Sequence, residues 1–291
     1  MATSTPDPAK IDTYREHAQR QWTEDETVAA WRKWHAQIAA FTRGATDAIL
    51  EAAHLRPGMH VLDLASGVGD PALTAAERVA PTGRVTASDL GRGMFSLAEE
   101  LARQRGITNL EFRQANAEAL PFPDRSFDAV TCRFAIMLVP DAAKVLRESL
   151  RVLKPGGRAA FVAFGKREQP WFTITAGIVF KHAGAPPPDP DLPNLFMFGE
   201  RDRLRRLIEG AGFANAREEV RTLRARWEGS PEKYWEQFTE VSAPFRPILA
   251  KLSPESRRAV MAESIAALNK FKDGNGLTIP LEIVVGSGTR P

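Results

Sequence analysis

Asp63, Asp89 and Asn116 are the residues of this chain best placed, by type and spacing, to do binding chemistry. Each follows or closes a short apolar run, and the intervals between them are nearly equal, 26 and 27 residues. A carboxylate at Asp89 can accept hydrogen bonds from both hydroxyls of a ribose, and an amide at Asn116, followed by Ala117 and Glu118, can pair with the edge of a base. After Asp63 comes Leu64-Ala65-Ser66-Gly67-Val68-Gly69, whose small residues permit a tight turn and a close approach of ligand to backbone. Three polar strand ends at that period suit one nucleoside lying across three strand–helix units. Open α/β sheets bind ligands at that place, outside the carboxyl ends of the strands.

Gly67-Val68-Gly69-Asp70-Pro71-Ala72 also satisfies the G-x-G-x-x-A dinucleotide fingerprint, with Asp89 following Gly69 by 20 residues. Asp63 decides between the two readings. A carboxylate beside a pyrophosphate repels it, whereas beside an ammonium it attracts. S-adenosylmethionine carries an α-ammonium and a sulfonium and no phosphate, so the electrostatics favour that cofactor over a nicotinamide dinucleotide.

The elements that must position these residues follow from periodicity. A helical pattern runs from Ile11 to Leu55, with Trp31, Trp34, Ile38 and Phe41 at steps of three and four. After Arg56-Pro57-Gly58 the texture changes to short strands alternating with helices. Strands are expected at 60–64, 84–88, 110–114, 127–132 and 158–164, and helices at 72–79, 94–105 and from the Asp141 cap to Leu153. This predicts a doubly wound, Rossmann-like parallel sheet. Residues 166–198 read as an irregular insertion. A helix at 203–211, a strand at 216–226, helices at 231–241 and 254–270 and a closing strand at 281–285 complete the chain. The expected division is a helical lid (1–55), a cofactor-binding core (56–165), a substrate-side insertion (166–215) and a C-terminal completion of the sheet (216–291).

Composition narrows the function classes. Among 291 residues, 39 basic side chains face 36 acidic ones, and arginines are interleaved with glutamates rather than clustered, so no nucleic-acid partner is expected. No apolar run is long enough to span a membrane and no leader pattern opens the chain, so a cytoplasmic location is expected. Cys132 is the single cysteine, expected to be buried and inert, and the five histidines have no metal-ligand spacing, so no metal site is expected.

Several segments together carry a resemblance: Val61-Leu62-Asp63-Leu64-Ala65-Ser66-Gly67-Val68-Gly69, Ser88-Asp89-Leu90 with Met94, Asn116-Ala117-Glu118-Ala119-Leu120-Pro121-Phe122, Ser126-Phe127-Asp128-Ala129-Val130 and Arg151-Val152-Leu153-Lys154-Pro155-Gly156-Gly157. The chain resembles the class I S-adenosylmethionine-dependent methyltransferases, in the small-molecule group called methyltransferase family 11 or quinone-methyltransferase-like. The resemblance implies a seven-stranded sheet of order 3-2-1-4-5-7-6 with the last strand antiparallel. It implies a cofactor site in which Asp63, Ala65, Ser66, Gly67 and Gly69 surround the methionine moiety and Asp89 takes the ribose hydroxyls. Leu90 and Met94 would flank the adenine, Asn116, Ala117 and Glu118 would meet its edge, and Arg133 would lie near the methionine end. Ala65 stands where Gly is commoner and Asn116 where Asp is usual. Phe134-Ala135-Ile136-Met137-Leu138 replaces the Gly-Leu-Arg-Asn-like sequence of quinone-ring enzymes, which speaks against a quinone substrate.

The activity implied is transfer of a methyl group to O, N or C of a small molecule. Such a reaction chiefly needs the nucleophile held in line, with a general base where the acceptor must lose a proton. No base stands out; His35 and His182 are the two histidines near an expected pocket. Trp22, Trp31 and Trp34 in the lid, and Trp171, Phe172, Phe180, Phe196, Met197 and Phe198 in the insertion, point to a small aromatic or apolar acceptor. A non-methylating S-adenosylmethionine-binding protein, as a cyclase or accessory subunit, and an NAD-dependent oxidoreductase are the alternatives.

Overall fold

Two helices precede the first strand, α1 (Pro8–Thr23) and α2 (Asp25–Ala52). The single expected helical run is broken at Glu24, whose ψ of 135° is extended rather than helical. There follow β1 (His60–Leu64), α3 (Ala72–Val79), β2 (Arg84–Asp89), α4 (Phe95–Gln104), β3 (Leu110–Gln114), β4 (Phe127–Arg133), α5 (Ala142–Val152) and β5 (Leu153–Phe164). The rest comprises α6 (Pro170–Thr173), α7 (Ala176–Ala183), α8 (Arg203–Gly210), β6 (Ala214–Glu228), α9 (Pro231–Val241), α10 (Arg246–Lys251), α11 (Pro254–Leu268), β7 (Lys272–Asp273) and β8 (Gly276–Thr289). This computed structural model describes residues 8–185, 189, 192–242 and 245–291.

The strands form one sheet of order β3-β2-β1-β4-β5-β8-β6, with the two-residue β7 paired to β8. The first five strands are parallel, and β8 runs antiparallel between β5 and β6. The implied order is therefore observed, with β7 added as a hairpin stub.

Three local expectations are corrected. Residues 115–126, between β3 and β4, contain no helix, so the strand–helix alternation lapses once. The segment 166–198 holds α6 and α7 rather than being irregular throughout; Pro186–Pro188, Pro190 and Asp191 of its proline-rich stretch lie outside the described residues. Pro280 sits inside β8, opposite Arg224 of β6, and not before the strand. Pairing with β5 extends only to Ile283, so β8 has an unpaired side at Pro280 and the missing N–H is tolerated.

Side chains alternate across the sheet, which places the chemistry. Leu62 and Leu64 of β1 join Val130, Cys132 and Phe161 on the face covered by α5 and α8. Val61, Ala129, Ala160 and Val162 face α2 and α3, packing on Ala45, Ala48, Ile49, Ala72, Ala75, Ala76 and Val79. Asp63, Thr131 and Arg133, each an even step from Val61 or Ala129, fall on that second face at the carboxyl ends of β1 and β4. Asp128, at the other end of β4, accepts from His60 N at 2.8 Å and Lys154 Nζ at 2.7 Å, a role that orients the sheet end.

Candidate active site

Asp63 is fully buried. Its Oδ1 accepts from Thr131 Oγ1 at 2.6 Å, the residue opposite it in β4, while its Oδ2 is buried without a partner. Burial pushes its pKa up to about 7, against the lowering effects of the Thr131 hydrogen bond and the nearby Arg133 charge; Asp70 and Asp89 add to the rise. A buried carboxylate oxygen with nothing to accept from is costly. It fits a cationic group supplied by a ligand.

The loop after β1 is tied to the loop after β2. Ser66 N donates to Ser88 O at 3.0 Å. Gly67 N donates to Asp89 Oδ2 and Gly91 N to Asp89 Oδ1, both at 2.9 Å, so one carboxylate holds two loops. Burial raises the Asp89 pKa and these backbone donors oppose the rise. Ala65 has φ 52° and Gly67 φ 53°, both left-handed. A Cβ at Gly67 would meet nothing within 4 Å, whereas at Gly69 (φ 112°) it would strike Leu73 and Ala98 at 2.7 and 3.0 Å. Gly69 is thus needed for packing, and Gly67 borders open space. Leu90 is 41% exposed on the rim and Met94 is buried.

Arg133 Nη1 donates to Thr42 and Thr46 Oγ1 of α2, both at 2.8 Å, and Nη2 to Asp70 O at 3.1 Å; its Nε is buried without a partner. Phe134 follows with φ 55°, uncommon for a bulky residue, and its ring lies 4.2 Å from that of Phe164 at 16°. Trp171 is 4.6 Å from Phe164 and 5.9 Å from Phe196. Gln169 fixes this turn, donating to Lys166 O at 2.8 Å and accepting from Glu282 N at 3.0 Å. The Trp171 Nε1 is buried and unpartnered.

Some expected ligand contacts are used internally. Asn116 is exposed, and its Oδ1 accepts from Glu118 N at 2.9 Å in a local turn, so the oxygen expected at the adenine amino group is engaged by its own backbone. Ala117 packs against the core beneath it. Glu118 is buried; it accepts from Asp141 N at 2.7 Å and lies 3.5 Å from Arg15 of α1. His35 Nδ1 pairs with Arg32 O, and His182 Nε2 with Glu263 of α11 at 2.8 Å; neither bond leads to the loops around Asp63 and Asp89. Trp34 packs on Trp227 and donates to Glu240 at 2.7 Å, a core position rather than a pocket wall. Cys132 is buried, which pushes its thiol up to about 12. Thr131, Thr42 and Thr46 were not foreseen, because strand register and helix placement, not sequence motif, bring them here.

A model of the ubiE/COQ5 methyltransferase family matches residues 31–183, more than half the chain. The chain belongs to that family. It is an S-adenosylmethionine-dependent methyltransferase, and the orphaned Asp63 oxygen and open Gly67 loop fit that cofactor. The enzyme is 35% identical over 175 residues to a protein of Shewanella halifaxensis named "Ubiquinone/menaquinone biosynthesis C-methyltransferase UbiE", covering 56% of this chain and 70% of that one. Other relatives of that name are matched over about half their length. Among solved structures, the YcgJ protein of Bacillus subtilis superposes with a TM-score of 0.55 at 22% identity, over 85% of this chain and 98% of that one. The [4+2]-cyclase SpnF does so with 0.53 at 23%, over 85% and 80%. Those two likenesses show the fold alone. Among the described residues no helix is long and apolar enough to cross a membrane.

Proposed function

We propose that the methyltransferase transfers its methyl group to a ring carbon of a small hydroxylated aromatic molecule, bound between the N-terminal helices and the segment after β5. The observation that carries this reading is the aromatic series Phe134, Phe164, Trp171 and Phe196, which leads from Arg133 at the end of β4 to α6. Stacked aromatic walls hold flat rings by burial and by offset or edge contacts. The relatives' printed name supports a ring and a carbon nucleophile. Where quinone-ring enzymes carry a Gly-Leu-Arg-Asn-like sequence, residues 134–138 are all apolar, with Ile136 and Met137 buried in the core, so this loop offers no polar side chain to a quinone's oxygens and favours a phenol or naphthol type of ring.

When bound, S-adenosylmethionine supplies an electrophilic methyl group on a sulfonium. Asp63 Oδ2 would take the ammonium, Arg133 would lie toward the methionine carboxylate, and Asp89 would accept the ribose hydroxyls with its remaining lone pairs. Leu90 and Met94 would border the adenine. α1 would be the lid: Tyr14 Oη donates to Leu138 O at 2.8 Å, Arg15 meets Glu118, and the Trp22 carbonyl stands over Gly91, so one helix touches the loops after β4, β3 and β2. The enzyme's work is to exclude water and hold the ring in line. Radiolabelled methyl transfer to a panel of phenols and naphthols, with product mapping, tests this reading; methylation only of non-aromatic acceptors, or at nitrogen, would overturn it.

Two further results are expected. Asp63 must be charged to pair with the ammonium, and its pKa in the empty site is about 7. Because this pKa lies above that of the unfolded chain, the empty enzyme loses stability as pH rises toward 7, where the unfolded chain releases this proton and the buried group keeps it. The bound cation reverses that effect, so cofactor affinity should increase about tenfold per pH unit up to neutrality and level off above it. Calorimetry from pH 5.5 to 8.5 checks this, and a flat profile removes Asp63 from the ammonium site. Trp171→Phe keeps an aromatic ring in place and loses the pyrrole ring with its N–H. The Michaelis constant for a hydroxylated ring should rise about tenfold, the cost of one net hydrogen bond of about 1.4 kcal/mol, with S-adenosylhomocysteine affinity unchanged. Steady-state kinetics on both proteins decides it.

A further inference from the structure

A second cleft lies where the parallel strands begin and the end of α2 meets the edge strand β6. It encloses about 540 Å³ and is lined by His54, Arg158, Arg217, Arg221, Ser287 and neighbouring residues. Pairing and alternation put its floor on one face: Arg158 of β5 is opposite Thr289 of β8, and Ser287, two residues away, is opposite Arg217 of β6. The acidic groups around it are already engaged. Glu51 and Glu219 both pair with Arg221 at 2.8 Å, and Glu218 accepts from Asp202 N and Arg205 N at the start of α8. Arg205 in turn pairs with Asp202 and Glu209.

Among the described residues, two guanidinium groups of the cleft, those of Arg158 and Arg217, are left without a carboxylate. Arg158 donates only to neutral oxygens: Ala52 O at the end of α2, Thr289 Oγ1 at 3.3 Å and Ser287 Oγ at 2.9 Å. The Arg217 guanidinium makes no hydrogen bond or ion pair with any of the described residues, although its backbone lies in the β6–β8 ladder. Because Ser287 and Thr289 accept from Arg158, each keeps its own hydroxyl proton to donate. Like charges gather here, for burial and Arg217 together lower the Arg158 pKa, and burial with Arg158, Arg56 and Arg217 lowers that of His54. What remains is an array of donors and positive charge with its local acceptors used up.

We propose that this cleft binds a phosphate group, free or carried on a small organic molecule, between Arg158, Arg217 and Ser287. Guanidinium forks and hydroxyl donors match tetrahedral oxyanions, and charge-assisted bonds of this kind are the strong ones. The volume exceeds what phosphate alone would fill, which leaves room for an organic substituent. Nothing in the cleft touches the cofactor loops, so the ligand would be neither cofactor nor methyl acceptor.

Thermal-shift and calorimetric titrations of the full chain with inorganic phosphate and ribose 5-phosphate, at constant ionic strength with chloride as control, test the assignment. Submillimolar binding of either is expected, weakened at least tenfold in Arg217→Ala and in Ser287→Ala, with S-adenosylhomocysteine affinity unchanged in both. Tighter binding of the sugar phosphate places an organic group in the remaining volume; equal affinities assign the site to free phosphate. Absence of binding up to 10 mM, or equal affinity in wild type and Arg217→Ala, overturns the proposal. Arg217 is exposed, so its variant folds as the parent does.

Discussion

Replacing Asp89 by alanine should lower the affinity for S-adenosylhomocysteine about 100-fold. The expected loss of ribose bonds alone, charge-assisted and partly desolvated, is about 1.5–3 kcal/mol. The structure adds a second consequence, because the same carboxylate holds Gly67 N and Gly91 N and so joins the loops after β1 and β2. Without it both loops lose their common anchor, and the ligand must order them on binding. A total of about 2.8 kcal/mol corresponds to two powers of ten. Asp89→Asn keeps one acceptor oxygen but loses the charge, and should fall between wild type and alanine. Calorimetry with circular dichroism as a folding control measures both, and binding of the alanine variant within threefold of wild type would place the ribose elsewhere.

The parts of this design that were legible in the sequence are those fixed by local pattern. Five parallel strands, the Asp141 cap on α5 and the polar residues after β1, β2 and β3 all follow from alternation and punctuation over a few residues. The order of β8 between β5 and β6 came from resemblance, since no local signal states which long strand a closing strand joins. Contacts set by register or by helix docking were not legible. Thr131 meets Asp63 because β4 lies beside β1 in one register, and Thr42 and Thr46 reach Arg133 because α2 crosses that face. The turn at Asn116 was equally illegible: its short side chain accepts from its own chain two residues on, which leaves its NH2 and one lone pair for a ligand. Trp34 was expected toward the acceptor, yet a helical stripe of tryptophans has the same period whether it faces a pocket or, as here, Trp227. The resemblance named Glu118 as a cofactor contact; its bonds to Asp141 and Arg15, which tie α1 to the sheet, were not legible.

That helix gives the remaining large effect. Removal of α1 should reduce methyl transfer at least 100-fold while S-adenosylhomocysteine binding changes by less than tenfold. The cut belongs after Thr23, because Thr27 and Ala30 of α2 are buried and Thr27 accepts a hydrogen bond from Arg246, so a deletion reaching residue 30 would damage the core as well. The residues proposed to hold the cofactor, Asp63, Gly67 and Asp89, all lie outside α1, which is why binding should largely survive. Turnover should not. Tyr14, Arg15 and Trp22 bring α1 against the loops after β4, β3 and β2, and a ring held in line beneath that roof is screened from water. Tyr14→Phe removes only the bond to Leu138 O, worth about 1 kcal/mol, and should cost about fivefold in turnover with no loss of fold. Single-turnover assays on the truncated and point variants separate the two effects. A truncated enzyme that stays folded and turns over at the full rate would show that α1 is packing rather than lid, and that the acceptor is enclosed by α2 and the segment after β5 alone.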